Sequence, residues 1–270
     1  LKVFFSLPLI AIHLLGCFLG LLMYLLDAKF RERTVKHISQ SNIVSGKIAT
    51  KNLIISNAMH IGMALMESFS IWFASNARIK RLVVRTKNWD LIKRLKSKNK
   101  GIIFLTPHIG SFEITAQYYG LFSPIKVMYK PTGKKWINQL IFQGRNKNFV
   151  TPVNIELGGM KQILKALKNG EAVGILPDQV PPEGHGEWSS FFNQKVYTMT
   201  LVQKLHTLTK APIIFAIGRR LKIGSGFEIE LYEFKGSVTV QKINEYIENI
   251  VKTSPEQYLW NYRRYKLPKS

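Results

Sequence analysis

Gly101-Ile-Ile-Phe-Leu-Thr-Pro-His-Ile-Gly-Ser-Phe-Glu113 is the stretch from which the rest of the chain can be read. Ile102 to Thr106 is an apolar run without polar alternation, the pattern of a strand buried on both faces. Pro107 stops it, because proline has no N–H for the ladder. Gly110-Ser111 then opens a helix that continues through Tyr119, with Gly120 as its stop. A buried strand thus delivers a histidine, His108, to a turn, and a carboxylate, Glu113, follows in the first turn of the next helix.

The same alternation extends in both directions. Downstream, Pro124 to Tyr129 reads as a strand, Trp136 to Arg145 as a helix, and Gly158 to Asn169 as a helix ending at Gly170. Ala172 to Leu176 is a strand stopped by Pro177-Asp178. Thr198 to Thr209 reads as a helix, while Ala211 to Ile217 and Phe227 to Phe234 read as strands. Val238 to Lys252 is a helix with Ile243, Ile247 and Ile250 on one face. Upstream, Leu91 to Lys100 is a short basic amphipathic helix. Asn57 to Ser75 is a helix whose Met59, Met63, Met66, Phe69 and Phe73 face a core or a membrane. Glu67 among them is expected to be a buried, hydrogen-bonded carboxylate. Strands alternating with helices predict an α/β fold, with a mixed, mostly parallel central sheet flanked by helices.

Composition limits the function. The 270 residues hold 39 Lys and Arg against 16 Asp and Glu, a formal charge of +23, which calls for an anionic partner or surface. The single cysteine, Cys17, excludes an intrachain disulfide and reads as a small hydrophobe. No Cys/His cluster has zinc spacing, and nothing calls for a metal or other cofactor. Val3 to Leu26 carries no formal charge. As a helix it would span roughly 36 Å, more than the ~30 Å hydrocarbon core of a bilayer. Lys29, Arg31, Arg33 and Lys36 follow it, against Lys2 before it. The positive-inside rule then predicts an N-terminal membrane-anchoring helix over residues 1–28 and a domain over 29–270 on the cytoplasmic side, with Lys29 to Ile55 lying along the membrane. The run is long for a cleaved signal peptide, and no clean small-x-small site precedes the charges.

Several side chains can carry chemistry. A neutral imidazole held by a carboxylate is a general base for an alcohol. On one continuous helix His108 and Glu113 would lie about 140° apart, so they meet only if His108 is in the turn and Glu113 begins the helix. The plainer alternative is a strand-end histidine beside a solvated glutamate. Lys130, Arg145 and Lys147 could bind phosphate, or form a solvated basic face. Asp178 and Gln179, at the end of a strand, could line the crevice of an α/β sheet, or Asp178 could cap a turn. Phe104, Phe112, Phe191 and Phe192 fit either an acyl channel or ordinary core.

The ordered set His108-Ile-Gly-Ser-Phe-Glu113, Met128-Tyr-Lys-Pro131, Gln143-Gly-Arg145, Leu176-Pro-Asp-Gln179 and Phe191-Phe192 ends in Ser254-Pro-Glu-Gln-Tyr-Leu-Trp260 and Arg263-Arg264-Tyr265-Lys266. With the apolar N-terminal run, it resembles the late acyltransferases of lipid A biosynthesis. These are the lauroyl/myristoyl transferases within the wider lysophospholipid acyltransferase superfamily. The resemblance covers nearly the whole chain. It implies transfer of a fatty acyl chain from acyl carrier protein to a hydroxyl of an anionic, Kdo-bearing lipid A precursor at the bacterial inner membrane. His108 would be the general base and Glu113 its orienter, without an acyl-enzyme. Lys130, Arg145, Asp178 and Gln179 would face substrate. Lys130 stands where the family has an arginine, keeping the charge but losing the bidentate fork. The tail arginines Arg263 and Arg264 would pair with carboxylates or face the membrane.

Three rivals remain at this stage. The acceptor could be a lysophospholipid or another glycolipid. The chain could be a non-catalytic scaffold of the same family. The charge alone would suit a membrane-tethered nucleic-acid-binding protein, but no helix-turn-helix, zinc-finger or RNP signature accompanies it, so no nucleic-acid partner is expected.

Overall fold

The computed structural model describes residues 7–96 and 100–268. Helices α1 (Leu9–Leu26), α2 (Ala28–Ser41), α3 (Lys47–Trp72) and α4 (Asn76–Leu82) precede the first strand, β1 (Val83–Lys87). There follow α5 (Asp90–Lys96), β2 (Ile102–Leu105), α6 (Phe112–Tyr119), β3 (Ile125–Tyr129), α7 (Lys135–Arg145), β4 (Val150–Asn154), α8 (Met160–Lys168) and β5 (Ala172–Ile175). The chain continues with β6 (Gly186–Phe191), β7 (Gln194–Met199), α9 (Leu201–Thr209), β8 (Ile213–Arg220), β9 (Phe227–Glu233) and α10 (Val240–Lys252).

Seven strands form one sheet in the order β1-β9-β8-β2-β5-β3-β4. The five from β8 to β4 run parallel, and β9 returns antiparallel to β8 with β1 parallel to it. Crossover helices cover both faces, so the central strands are apolar throughout; all four residues of β2 and of β5 are buried. Alternation still sorts them. Ile103, Leu105, Val173, Ile175 and Met128 pack on one face, and Ile102, Phe104, Ala172 and Ile125 on the other. The mixed, mostly parallel sheet expected from the sequence is the one observed.

Some elements depart from the expected pattern. β1, β4 and the β6–β7 hairpin are additional strands. β4 lies at a sheet edge, which is where its Pro152 can be accommodated. The helix expected from Thr198 starts at Leu201, because Thr198 and Met199 belong to β7 and the Thr198 hydroxyl is engaged by Asn244 and Arg264. The helix expected over Asn57–Ser75 is the second half of the longer α3, which ends at Trp72, and Ser75 caps the start of α4. Part of the Leu91–Lys100 expectation, residues 97–99, and residues 3–6 of the apolar N-terminal run lie outside the described residues.

α1 is, among the described residues, the one helix long and apolar enough to cross a membrane, with a mean hydropathy of 2.4. It packs antiparallel to α3, backbone against backbone. A Cβ on Gly20 would stand 2.0 Å from the Ala58 carbonyl oxygen, and one on Gly62 would stand 2.0 Å from that of Gly16. Only glycine permits such an approach, as in small-xxx-small helix pairs. Ile12, His13, Gly16 and Gly20 form the buried stripe, while Leu14, Leu15, Phe18, Leu25 and Leu26 are exposed on the other side. The buried stripe is fastened by charge. His13 Nε2 lies 2.8 Å from Glu67 Oε1, and Glu67 receives both Nε and a terminal nitrogen of Arg220, the last residue of β8. Because β8 runs parallel to β2, α1 is attached at the end of the sheet where the parallel strands finish.

Candidate active site

β2 lies between β8 and β5, and its carboxyl end carries Thr106-Pro107-His108 into the turn expected from the sequence. Gly110 makes that turn possible. It has φ +60°, and a Cβ there would meet the Gly218 carbonyl oxygen at 2.3 Å. The Ser111 N–H donates to that same carbonyl at 2.7 Å, which ties the turn to β8.

The carboxylate that holds His108 is Asp178. Its Oδ1 is 2.8 Å from His108 Nδ1, and its Oδ2 accepts the His108 backbone N–H at 3.0 Å. Burial pushes the Asp178 carboxyl up, but the charge and hydrogen bonds of His108, with the charge of Arg264 behind them, leave it below its ordinary value. An ionised Asp178 fixes the proton on Nδ1 and leaves the Nε2 lone pair to act as a base. Nε2 has no hydrogen-bond partner among the described residues, and the side chain is 9% exposed. Tyr262 stacks on the imidazole with centroids 5.7 Å apart and planes 15° apart, and Phe112 packs edge-on at 5.0 Å.

Glu113 does not orient His108, which corrects the expectation from the sequence. Its carboxylate lies against the Arg145 guanidinium, which donates Nε at 3.2 and 3.1 Å and a terminal nitrogen as well, and it accepts Trp72 Nε1 at 2.8 Å. The physical reason is the register of the first helical turn: Glu113 points from α6 toward α3 and α7, whereas His108 faces the neighbouring strand end. Gly144 lets α7 come this close, since a Cβ there would stand 2.5 Å from Trp72 Cβ. Lys147 caps the carbonyls of Ile71 and Ala74 at 2.7 and 3.0 Å, so it serves the end of α3. Burial draws its pKa down to about 8.

Two cavities flank the strand ends. A narrow apolar slot of about 40 Å³ runs under α6, with Glu113, Arg145 and Thr106 among its lining residues and Trp89, Ile92 and Leu231 on its apolar walls. Small residues, Gly174, Ala116 and Ala216, leave it open. Phe104 and Phe112 line it. Phe191 and Phe192 do not; they sit in the core against Tyr258 and Trp260. A second, wider cavity of about 470 Å³ lies at the ends of β3 and β5, and Lys130 and Gln179 line it together. The candidate substrate-facing residues therefore divide: Arg145 with the slot, Lys130 and Gln179 with the wide cavity, and Asp178 behind His108.

The C-terminal tail closes the site from behind. The Leu259 N–H donates to the His108 carbonyl at 2.9 Å, and the Tyr262 hydroxyl accepts the Val180 N–H at 2.9 Å. Arg264 is 2% exposed and donates to the Tyr197 carbonyl, Thr198 Oγ1 and Asn244 Oδ1. It is buried in protein and has no direct carboxylate partner among the described residues, contrary to the expectation for it. Tyr262 and Trp72 were not singled out by sequence. The aromatic-rich tail was a visible signal, but nothing in it pointed to His108.

The chain matches the model of the bacterial lipid A biosynthesis acyltransferases over residues 1–267. Among curated proteins it is 28% identical over 223 residues to the lipid A biosynthesis palmitoleoyltransferase of Escherichia coli K12, covering 80% of this chain and 72% of that relative. It is 26% identical over 280 residues to the lipid A biosynthesis lauroyltransferase of the same organism, covering 97% and 87%. With the myristoyltransferase of that organism it shares 24% identity over 179 residues, 63% of this chain and 55% of the relative. A buried histidine–aspartate pair at the end of a mostly parallel sheet, beside an apolar slot, is thus found in a chain that belongs to the family of bacterial lipid A biosynthesis acyltransferases, and the protein is an acyltransferase.

Proposed function

We propose that this acyltransferase moves a fatty acyl chain from the thioester of acyl carrier protein to a hydroxyl on a Kdo-bearing lipid A precursor. In this reading His108 Nε2 takes the hydroxyl proton as the oxygen attacks the thioester carbonyl carbon. Collapse of the tetrahedral intermediate breaks the C–S bond, and the imidazolium returns the proton to the departing thiolate. Asp178 stays ionised throughout, holding the tautomer and stabilising the imidazolium. The oxygen attacks directly, so no enzyme nucleophile is acylated. Glu113 acts through Arg145: by fixing the guanidinium at the slot, it keeps a cation where negative charge develops on the thioester oxygen.

The observation that carries this reading is an imidazole with one nitrogen bound to a buried carboxylate and the other unpartnered, at a strand end beside an apolar slot. The net charge of +23 suits an acidic carrier and a phosphorylated acceptor. The exposed apolar side of α1, at the same end of the sheet as His108, supports action at the cytoplasmic face of the inner membrane.

The test is a transfer assay on detergent-solubilised protein with radiolabelled tetra-acylated lipid A precursor and a panel of acyl carrier protein thioesters. Product is expected with wild type and almost none with His108→Ala. An unchanged rate in the purified variant rejects His108 as the base. Product from lysophospholipid and none from the precursor moves the acceptor to another lipid class.

A further inference from the structure

The wide cavity has a composition unlike that of the slot. Its floor is thioether and aliphatic: Met128, Met160 and Met199, with Ile155. Methionine is unbranched and polarisable, so such a floor adapts to flexible apolar chains. Its rim carries Lys130, from the end of β3, and Lys204, from α9, with His185 beside them. No carboxylate is among the described residues that line it. Both lysines are exposed, and neither ammonium group has an ion pair or hydrogen bond among the described residues, in contrast to Lys87 and Arg145, which are held by glutamates. Two unneutralised ammonium groups above an apolar floor match an amphiphile with an anionic head.

The position of the cavity bears on which amphiphile this is. Gln179 lines it and directly follows Asp178, and Leu176 lines both the cavity and the slot. The two cavities thus approach the same strand end from opposite faces of the sheet. The slot, at about 40 Å³, is much the narrower of the two, whereas the cavity of about 470 Å³ can admit a bulkier group.

Resting on the acyl-transfer reading above, we propose that the wide cavity is the site of the acceptor: it seats an acyl chain of a phosphorylated lipid on the methionine floor, with the lipid phosphate between Lys130 and Lys204. Donor and acceptor chains then enter from opposite faces and meet at His108. Lys130 here is a point charge for a phosphate, a role that does not need the two-pronged geometry of arginine.

The experiment is equilibrium binding, independent of turnover. Radiolabelled tetra-acylated bisphosphoryl disaccharide lipid is titrated against the full chain in detergent, for wild type, the double variant Lys130→Glu/Lys204→Glu, and Met160→Trp, which fills the floor. Thermal unfolding checks that the variants are folded, and the charge reversals involve exposed side chains only. The charge reversal is expected to weaken binding at least about ten-fold, equivalent to about 1.4 kcal/mol or more. Met160→Trp should weaken it comparably, and the same lipid stripped of its phosphates should bind wild type as weakly as the intact lipid binds the double variant. Binding of a lauroyl thioester of acyl carrier protein should be unaffected by Met160→Trp. Unchanged lipid binding in the folded double variant overturns the proposal. So does loss of thioester binding with lipid binding intact, which would make the cavity a donor site. Because binding is read directly, either result leaves the assignment of His108 as the base to its own assay.

Discussion

Two buried histidine–carboxylate pairs stand near the same end of this sheet, each with nitrogen and oxygen 2.8 Å apart. In one, His13 lies with Glu67; in the other, His108 lies with Asp178. They differ in what is left over. His13 accepts the Gly224 N–H on Nδ1 at 3.0 Å, and its buried Nε2 stands 2.8 Å from Glu67 Oε1 as an ion-pair contact, so both ring nitrogens face protein. Glu67 is in turn gripped by Arg220, which also reaches His60 Nδ1 at 2.7 Å, and His13, Glu67 and Arg220 are all buried. His108 has a single carboxylate partner, no arginine on that carboxylate's oxygens among the contacts found, and an unpartnered Nε2. The same residue types therefore make a fastener in one place and, in the reading proposed above, a base in the other. What separates them is one nitrogen without a hydrogen-bond partner among the described residues, on a side chain 9% exposed where that of His13 is wholly buried.

The sharpest way to break this comparison is to remove each histidine in turn. His108→Ala is expected to reduce turnover about 10²–10⁴-fold with the fold intact. His13→Gln is expected to lower the unfolding midpoint while turnover per folded molecule stays within about two-fold, since the contacts of His13 are with Glu67, Gly224 and Phe227 and include none of the groups in the chemistry proposed here. Turnover assays paired with thermal unfolding decide between these outcomes, and a catalytic collapse in His13→Gln would erase the distinction.

Next in size is the carboxylate of the fastener. Glu67→Leu leaves the Arg220 charge buried without its partner and is expected to cost about 3–5 kcal/mol in denaturant unfolding. Asp178→Asn should show the reverse balance, with a large loss in kcat and a smaller change in stability. The loss should appear in kcat more than in KM if Asp178 acts through the tautomer of His108.

Acid sharpens the same contrast. Burial pushes Glu67 up, but the charge and hydrogen bonds of Arg220 more than offset it and hold its pKa at about 2 against an ordinary 4.5. A depressed carboxylate contributes stability that is fully present above its unfolded value and is lost as pH falls through the folded one. The expected loss, confined to the window between about pH 4.5 and 2, is of order 3 kcal/mol. Asp178, also depressed, adds in the same direction. Acid titration of unfolding should therefore be shallower in Glu67→Gln; an identical acid limb would mean that Glu67 is not held ionised by Arg220.

The smallest expected effect concerns the stack on His108. Tyr262→Leu removes the ring and is expected to reduce kcat about ten-fold, whereas Tyr262→Phe keeps the stack and should retain most of the rate. Equal losses in the two variants would assign the effect to the Val180 hydrogen bond instead.

Much of the sheet was legible from sequence because its central strands are continuous apolar runs bounded by Pro and Gly, as at Ile102–Thr106 and Ala172–Leu176. β1 and β4 were not, since edge strands are half solvated and carry Arg85, Lys87 and Pro152. His108 was legible as a strand-end histidine. Its partner was misread because the reading relied on distance along the chain. Glu113 is five residues away and Asp178 is seventy, yet in the β2–β5 register Leu105 is opposite Ile175, so His108 and Asp178 each lie three residues beyond a paired position. That equality can be counted in the sequence only once the two strands are known to be neighbours. Nothing local announces Tyr262, whose position depends on a tail that returns to β2 after α10.

The glycine seam between α1 and α3 carries one more consequence. A domain on a flexible leash would hold its chemistry at a range of elevations above a bilayer. Here the apolar helix is seated backbone on backbone, and the charge fastener at His13 and Glu67 fixes its register against the sheet. In the membrane-bound reading proposed above, the seam acts as a gauge: a slip of one helical turn would raise or lower His108 by about 5.4 Å. How far a lipid must be lifted to react is then set during folding, before any substrate arrives.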